Sequence, residues 1–181
     1  MAFIIPAGTG LTMGTLSDGA ILRKSSGTVV GETFSGETWI KLGADRTSTS
    51  TTLADITDLS FAVAASKAYA FWCFLVYQTA ATTTGININC DGPASPTGIL
   101  FARYVSTLLA GAGTKRMLRA YQAGTATASV ETQDVNFPAI GEGLLRNGSN
   151  AGTFALQFAS EVGSSQVTIK AGSILVYKLL D

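Results

Sequence analysis

The chain has 181 residues, of which twelve are Lys or Arg and twelve are Asp or Glu, so its formal net charge is zero, and it contains no histidine. A neutral balance supplies no attraction for nucleic acid or an anionic membrane, and the missing imidazole removes the usual general base and the commonest metal ligand, histidine-dependent triads included. Charged residues make up only 13% of the chain at a mean hydropathy of +0.32, with no run long enough for a transmembrane helix. The apolar residues must therefore be spread over many short strands, some of them meeting another subunit.

The opening MAFIIPAGTG lacks a basic n-region and is not expected to be a secretory signal. Residues 1–36 form a first segment in which Gly8, Gly10, Gly14, Gly19, Gly27, Gly31 and Gly36 recur every few positions. Within it, Ala20–Lys24 and Thr28–Gly31 read as a short hairpin that needs a neighbour to cover it. The expectation is an extended arm laid on another subunit, where Phe3, Ile4, Ile5, Leu11, Ile21 and Leu22 find apolar cover. Gly8–Gly14 resembles a phosphate loop only superficially: the spacing misses the dinucleotide fingerprint, and the P-loop lysine is missing.

Residues 37–181 carry strands of five to nine residues separated by turn clusters, the spacing of a sandwich or barrel. The first is Thr38–Leu42, followed by the Ser/Thr run Thr47–Thr52. Asp55 and Asp58 in ADITD read as turn residues capping their own backbone ahead of a strand at Leu59–Val63, rather than as paired hydrolase carboxylates or calcium ligands. Tyr69–Tyr77 is an unbroken aromatic and β-branched run, the pattern of a strand covered on both faces. Ile86–Cys90 alternates at period two, so the pair reads as a hairpin with one strand sunk in the core and its partner half exposed. Cys73 and Cys90 would then lie roughly opposite each other, as buried free thiols.

A Pro/Gly loop at Asp91–Pro96 precedes Ile99–Val105, which sets Leu100, Ala102 and Tyr104 on one face and Ile99, Phe101, Arg103 and Val105 on the other. Lys115–Tyr121, Ala126–Val135, Gly143–Asn147, Thr153–Ala159, Gln166–Lys170 and Ser173–Leu180 complete the set, with Phe154, Leu156 and Phe158 marking a one-sided strand. Glu131 and Asp134 fall at a strand end. Asn147-Gly148-Ser149 matches a glycosylation acceptor but reads as a turn. Lys115, Arg116 and Arg119 form the densest basic patch, a secondary docking surface or a solubilised edge. Eight to ten strands with no helical stripe predict an all-β fold, an antiparallel jelly-roll-like β-sandwich behind the glycine-rich arm.

Several phrases resemble a family of small virion proteins of tailed bacteriophages: Thr51–Phe61, Tyr77–Ile86, Asp91–Thr97, Leu156–Glu161 and Val167–Ser173, together spanning most of residues 51–178. Leu16–Gly27 is similar to arm or shaft segments of phage fibre proteins. The resemblance implies a trimeric jelly-roll module that serves as a capsid decoration or cement protein, with itself and the major capsid protein or another virion protein as partners. It implies no catalytic residue and no cofactor, and a place in the virion after synthesis in the host bacterial cytoplasm. A fibre tip or head-fibre module binding a host saccharide or protein is the alternative. On a trimer, either Phe71, Cys73, Leu75 and Tyr77 enter the sandwich while Trp72, Phe74 and Val76 face a symmetry axis, or the reverse.

Overall fold

Strands alone, and no helix, build the residues that the computed structural model describes, which are 20–25, 28–33, 36–94, 96, 98–108, 113–119 and 129–180. The chain divides into two compact units, Met1–Gly36 and Glu37–Asp181. In the first, β1 (Ala20–Ser25) and β2 (Thr28–Thr33) pair antiparallel with Ser25 opposite Thr28, the hairpin expected there.

Among the described residues the second unit holds eleven strands: β3 (Thr38–Lys41), β4 (Arg46–Ser48), β5 (Ala54–Val63), β6 (Ala68–Thr79), β7 (Ile86–Asp91), β8 (Gly98–Ser106), β9 (Gly113–Arg119), β10 (Phe137–Arg146), β11 (Gly152–Ser160), β12 (Val167–Ile169) and β13 (Ile174–Leu179). An eight-stranded sheet runs β3-β13-β6-β10-β8-β9, with β12 pairing β4 and the far end of β6. A three-stranded sheet, β5-β11-β7, packs against it. Every pairing is antiparallel. The fold is thus an all-β, jelly-roll-like sandwich.

Aromatic residues from both layers fill the space between them. Phe61 of β5 stacks on Tyr177 of β13 with ring centres 4.0 Å apart, and Phe154 of β11 lies 4.5 Å from Phe71 of β6. Strand β6 sends Tyr69, Phe71, Cys73, Leu75, Tyr77 and Thr79 inward, all buried. The Tyr77 hydroxyl donates to the Ser106 carbonyl at 2.6 Å, which satisfies its buried polar end.

Several expectations need correction. The stretch Tyr69–Asp91 is not a hairpin: β6 belongs to the eight-stranded sheet and β7 to the three-stranded one. Six residues are more than a tight turn requires, and they arch between layers. The arch is held by Ala80 N–H on the Gln166 carbonyl, Gly85 N–H on Glu161 Oε2 and a Thr84–Ser165 hydroxyl pair. Nor is β7 half exposed. Asn87 and Asn89 are buried with its isoleucines, and Arg103 of β8, itself 5% exposed, donates from Nη1 to Asn87 Oδ1 at 3.1 Å.

Asp55 and Asp58 lie within β5, not in a turn before it. Ile56 and Leu59 are both fully buried at a spacing of three, which strict alternation forbids, and the strand bulges between Asp55 and Ser60 to seat them. Residues 129–136 are turns rather than strand, with Asp134 at φ 58° and its N–H on the Thr79 carbonyl; 126–128 lie outside the described residues. Finally, β11 is not one-sided, because Ala155 and Ala159 are buried too, flanked by strands on either side.

Strand β10 begins six residues ahead of the expected Gly143 and contains Pro138. At Pro138 only β6 is alongside, since the ladder to β8 starts at Ala139, so the missing N–H faces no partner strand. Asn147 behaves as a turn residue: it is buried, and its Nδ2 donates to the Ala64 and Asn150 carbonyls.

Cys73 and Cys90 are free and buried, on opposite layers rather than on paired strands. Burial pushes the Cys73 thiol up to about 12 and raises Cys90 as well, with Cys73 a smaller contributor to the latter. Both thiols should therefore resist a thiol reagent at pH 8 in the native state and react once denatured. Reductant should leave the melting temperature unchanged; a fall of more than a few degrees would reveal a bond between them.

Candidate functional site

The two outer faces of the sandwich differ in character. On the three-stranded sheet the outward positions are polar or small: Asp55 accepts from Gln157 Nε2 at 2.8 Å, Asp58 pairs with Arg46, and Thr57, Ser60, Ala62 and Thr153 surround them. The two aspartates are thus engaged in surface contacts on separate partners. Nearby, Asp45 holds Lys170 and the Ala171 N–H, which together keep its carboxyl below the ordinary carboxylate range.

On the eight-stranded sheet the outward face is apolar. Register sets its side chains in rows across the strands. One row runs Trp39, Val176, Trp72, Glu142, Ala102; the next runs Lys41, Ile174, Phe74, Ile140, Tyr104; on the other side lie Lys178, Ala70, Leu144, Leu100. Trp39 is 62% exposed, Leu100 and Leu144 48%, Ile140 46% and Phe74 44%. These values are far above those of core side chains, and together the five present on the order of 500 Å² of contiguous apolar surface, near the upper end for a monomer. Trp39 meets Trp72 edge-on with ring centres 6.1 Å apart, and Val176 is buried in the row between them.

Inside this face a shallow pocket of about 390 Å³ is lined by Ala70, Phe71, Trp72, Leu100, Ala102, Glu142, Gly143 and Leu144. Glu142 is the single acidic side chain on the face among the described residues. Basic residues stand at the margins. Lys41 and Lys178 flank the β3–β13 side, while Lys115 and Arg119 of β9 occupy register positions opposite Tyr104 and Leu100. Arg116 stands opposite the inward-facing Arg103.

The structure therefore places Trp72, Phe74 and Val76 on the outward face and Phe71 and Leu75 in the core. Ile21 and Leu22 sit on β1 opposite Glu32 and Gly31, whereas Phe3, Ile4, Ile5 and Leu11 lie outside the described residues, as does Tyr121. Trp39, Leu100, Ile140, Glu142, Leu144 and Val176 join the face without having been singled out from sequence. Among the described residues no three His, Cys, Asp or Glu side chains cluster as a metal site, and no helix is long and apolar enough to cross a membrane.

No family model and no curated protein matches the sequence. Among solved structures, the chain is similar to VP2 of infectious bursal disease virus in a subviral particle, at 10% identity and a TM-score of 0.27 over 96% of this chain and 50% of that one. It is likewise similar to the Gx strain structure of that virus, at 12% identity and a TM-score of 0.24 over 89% and 41%. A structure of derived T=1 particles gives 11%, 0.26, 96% and 48%. The chain spans about half the length of these proteins, and a likeness at such TM-scores carries no argument about role.

Proposed function

We propose that the chain is a non-enzymatic virion structural protein that associates with copies of itself through the outward face of the eight-stranded sheet. The observation that supports this reading is the apolar face around Trp39, Trp72, Phe74, Leu100, Ile140 and Leu144, set against a polar face on the other side of the same sandwich. A protein with so few charges gains by covering such a surface. The three-fold state and the place on a phage head, as a decoration or cement protein, rest on the sequence resemblance. Sedimentation at micromolar concentration tests the first, with three times the 18.7 kDa chain mass expected and a single chain's mass counting against it. Copy number per particle tests the second: hundreds for decoration, a dozen or fewer for a fibre.

In this reading residues 1–36 anchor the protein to the shell. Glycine-rich and without an apolar segment long enough to make a core of its own, they offset poorly an ordering cost of roughly 1–2 kcal/mol per residue unless another surface covers them. Deleting them should leave the sandwich folded and self-associated, with a nearly unchanged melting temperature, yet abolish attachment to particles in a pelleting assay. Undiminished attachment would move the anchor to the body, where Lys115, Arg116 and Arg119 become the docking residues to test.

A further inference from the structure

We infer that Glu142 receives a lysine from a neighbouring copy of this chain, so that the pocket around it is completed only on assembly. The inference rests on the self-association proposed above and names the pairing that sets its register. Glu142 projects from the middle of the apolar face, between Ile140 and Leu144 on its own strand and between Trp72 and Ala102 across the sheet. Among the residues whose side chains are described, none makes a hydrogen bond or ion pair with it. Covering the face with an apolar surface would strand this carboxylate away from water without a partner, which is costly, so whatever covers it must bring a cation.

The same face supplies that cation at its edge. Lys41 is exposed on the outermost strand β3, and Lys178 lies where β13 has run past the end of β3; both occupy outward positions. Within one chain two strands separate Lys41 from Glu142 and one strand, β6, separates Lys178 from it, and neither forms a salt bridge to it. A neighbour that lays its β3–β13 edge over the β10 pocket brings the two charges together. The pocket, about 390 Å³ and walled by Trp72, Leu100 and Leu144, has room for the aliphatic stem of a lysine with its ammonium on the carboxylate. Edge-over-face contact is heterologous, the kind that closes a ring where the rotation between copies is three-fold, as a trimer requires.

The test is charge reversal read by sedimentation equilibrium on the full chain, with circular dichroism confirming that each variant is folded. Glu142→Lys should raise the dissociation constant by roughly two orders of magnitude, as should Lys41→Glu or Lys178→Glu, whichever is the partner. Combining Glu142→Lys with that lysine's reversal should restore association. If the wild type associates but Glu142→Lys associates equally well, or if neither double reversal recovers binding, the inference is overturned while self-association stands. A wild-type monomer would instead remove the reading beneath it. Loss of particle attachment by Glu142→Lys with association intact would assign the pocket to another virion protein and overturn the pairing.

Discussion

Replacing Gly143 with valine should unfold the sandwich or lower its melting temperature by roughly 10 °C or more. A Cβ at this position would lie 2.4 Å from the Leu100 carbonyl oxygen and 2.4 Å from Phe71 Cζ. The carbonyl belongs to the neighbouring strand of the ladder and cannot retreat without breaking it. The Phe71 ring is wedged against Phe101 and Phe154, with centres 5.8 and 4.5 Å away. Overpacking of this kind costs about 1–3 kcal/mol and more where backbone must move, and for a chain of this size each kcal/mol is worth about 2–4 °C. Gly141, whose added Cβ would meet Phe101 at 2.6 Å and the Cys73 sulfur at 2.9 Å, should behave similarly. Gly163→Ala, with no atom within 4 Å of its added Cβ, is the control and should melt within a degree or two of wild type. Equal melting of Gly143→Val and that control would contradict the packing described.

The same two glycines explain why β10 was hard to read. Its core face carries Phe137, Ala139, Gly141, Gly143 and Leu145, while its solvent face carries Pro138, Ile140, Glu142, Leu144 and Arg146. The usual sign of alternation is reversed in its middle, because two large rings from β6 and β8 occupy the space that β10 side chains would fill. Sequence registers the size of a side chain on its own strand, not the volume donated by the neighbours. Strands with a single demand on them were legible: β8 divides its faces as the spacing predicts, and β6 was recognisable as apolar on both sides. Which side of β6 faces the core was not legible, since Phe71 and Leu75 are chemically interchangeable with Trp72 and Phe74. The supposed hairpin failed for a different reason. Nearness along the chain favours pairing, but whether six residues turn within a sheet or arch between sheets depends on partners such as Glu161 and Gln166, some eighty residues away. The candidate face draws on β3, β6, β8, β10 and β13, so no single segment could display it.

Changing Trp72 and Phe74 together to aspartate should leave a folded monomer. Both side chains point away from the core, and Phe74 is 44% exposed already, so the substitution removes little from the sandwich beyond the Trp39 edge contact and the cover over Val176. On the assembled face the outcome is different, because each copy would carry two carboxylates into a surface that must become dry, next to Glu142, which already demands a cation. An unpaired buried charge costs several kcal/mol, so two per subunit offset most of the roughly 12 kcal/mol that about 500 Å² of apolar surface contributes at roughly 25 cal/mol per Å². The dissociation constant should rise by more than about three orders of magnitude, so that at micromolar concentration the species of 18.7 kDa predominates. Thr57→Asp with Ser60→Asp on the polar face of the three-stranded sheet controls for added charge alone and should change neither mass nor melting temperature. Phe71→Asp, inward by one residue, should instead unfold the protein without any concentration dependence, since that ring lies 2% exposed among Phe101 and Phe154. An intact oligomer for the Trp72/Phe74 variant would show that association, if present, uses another surface.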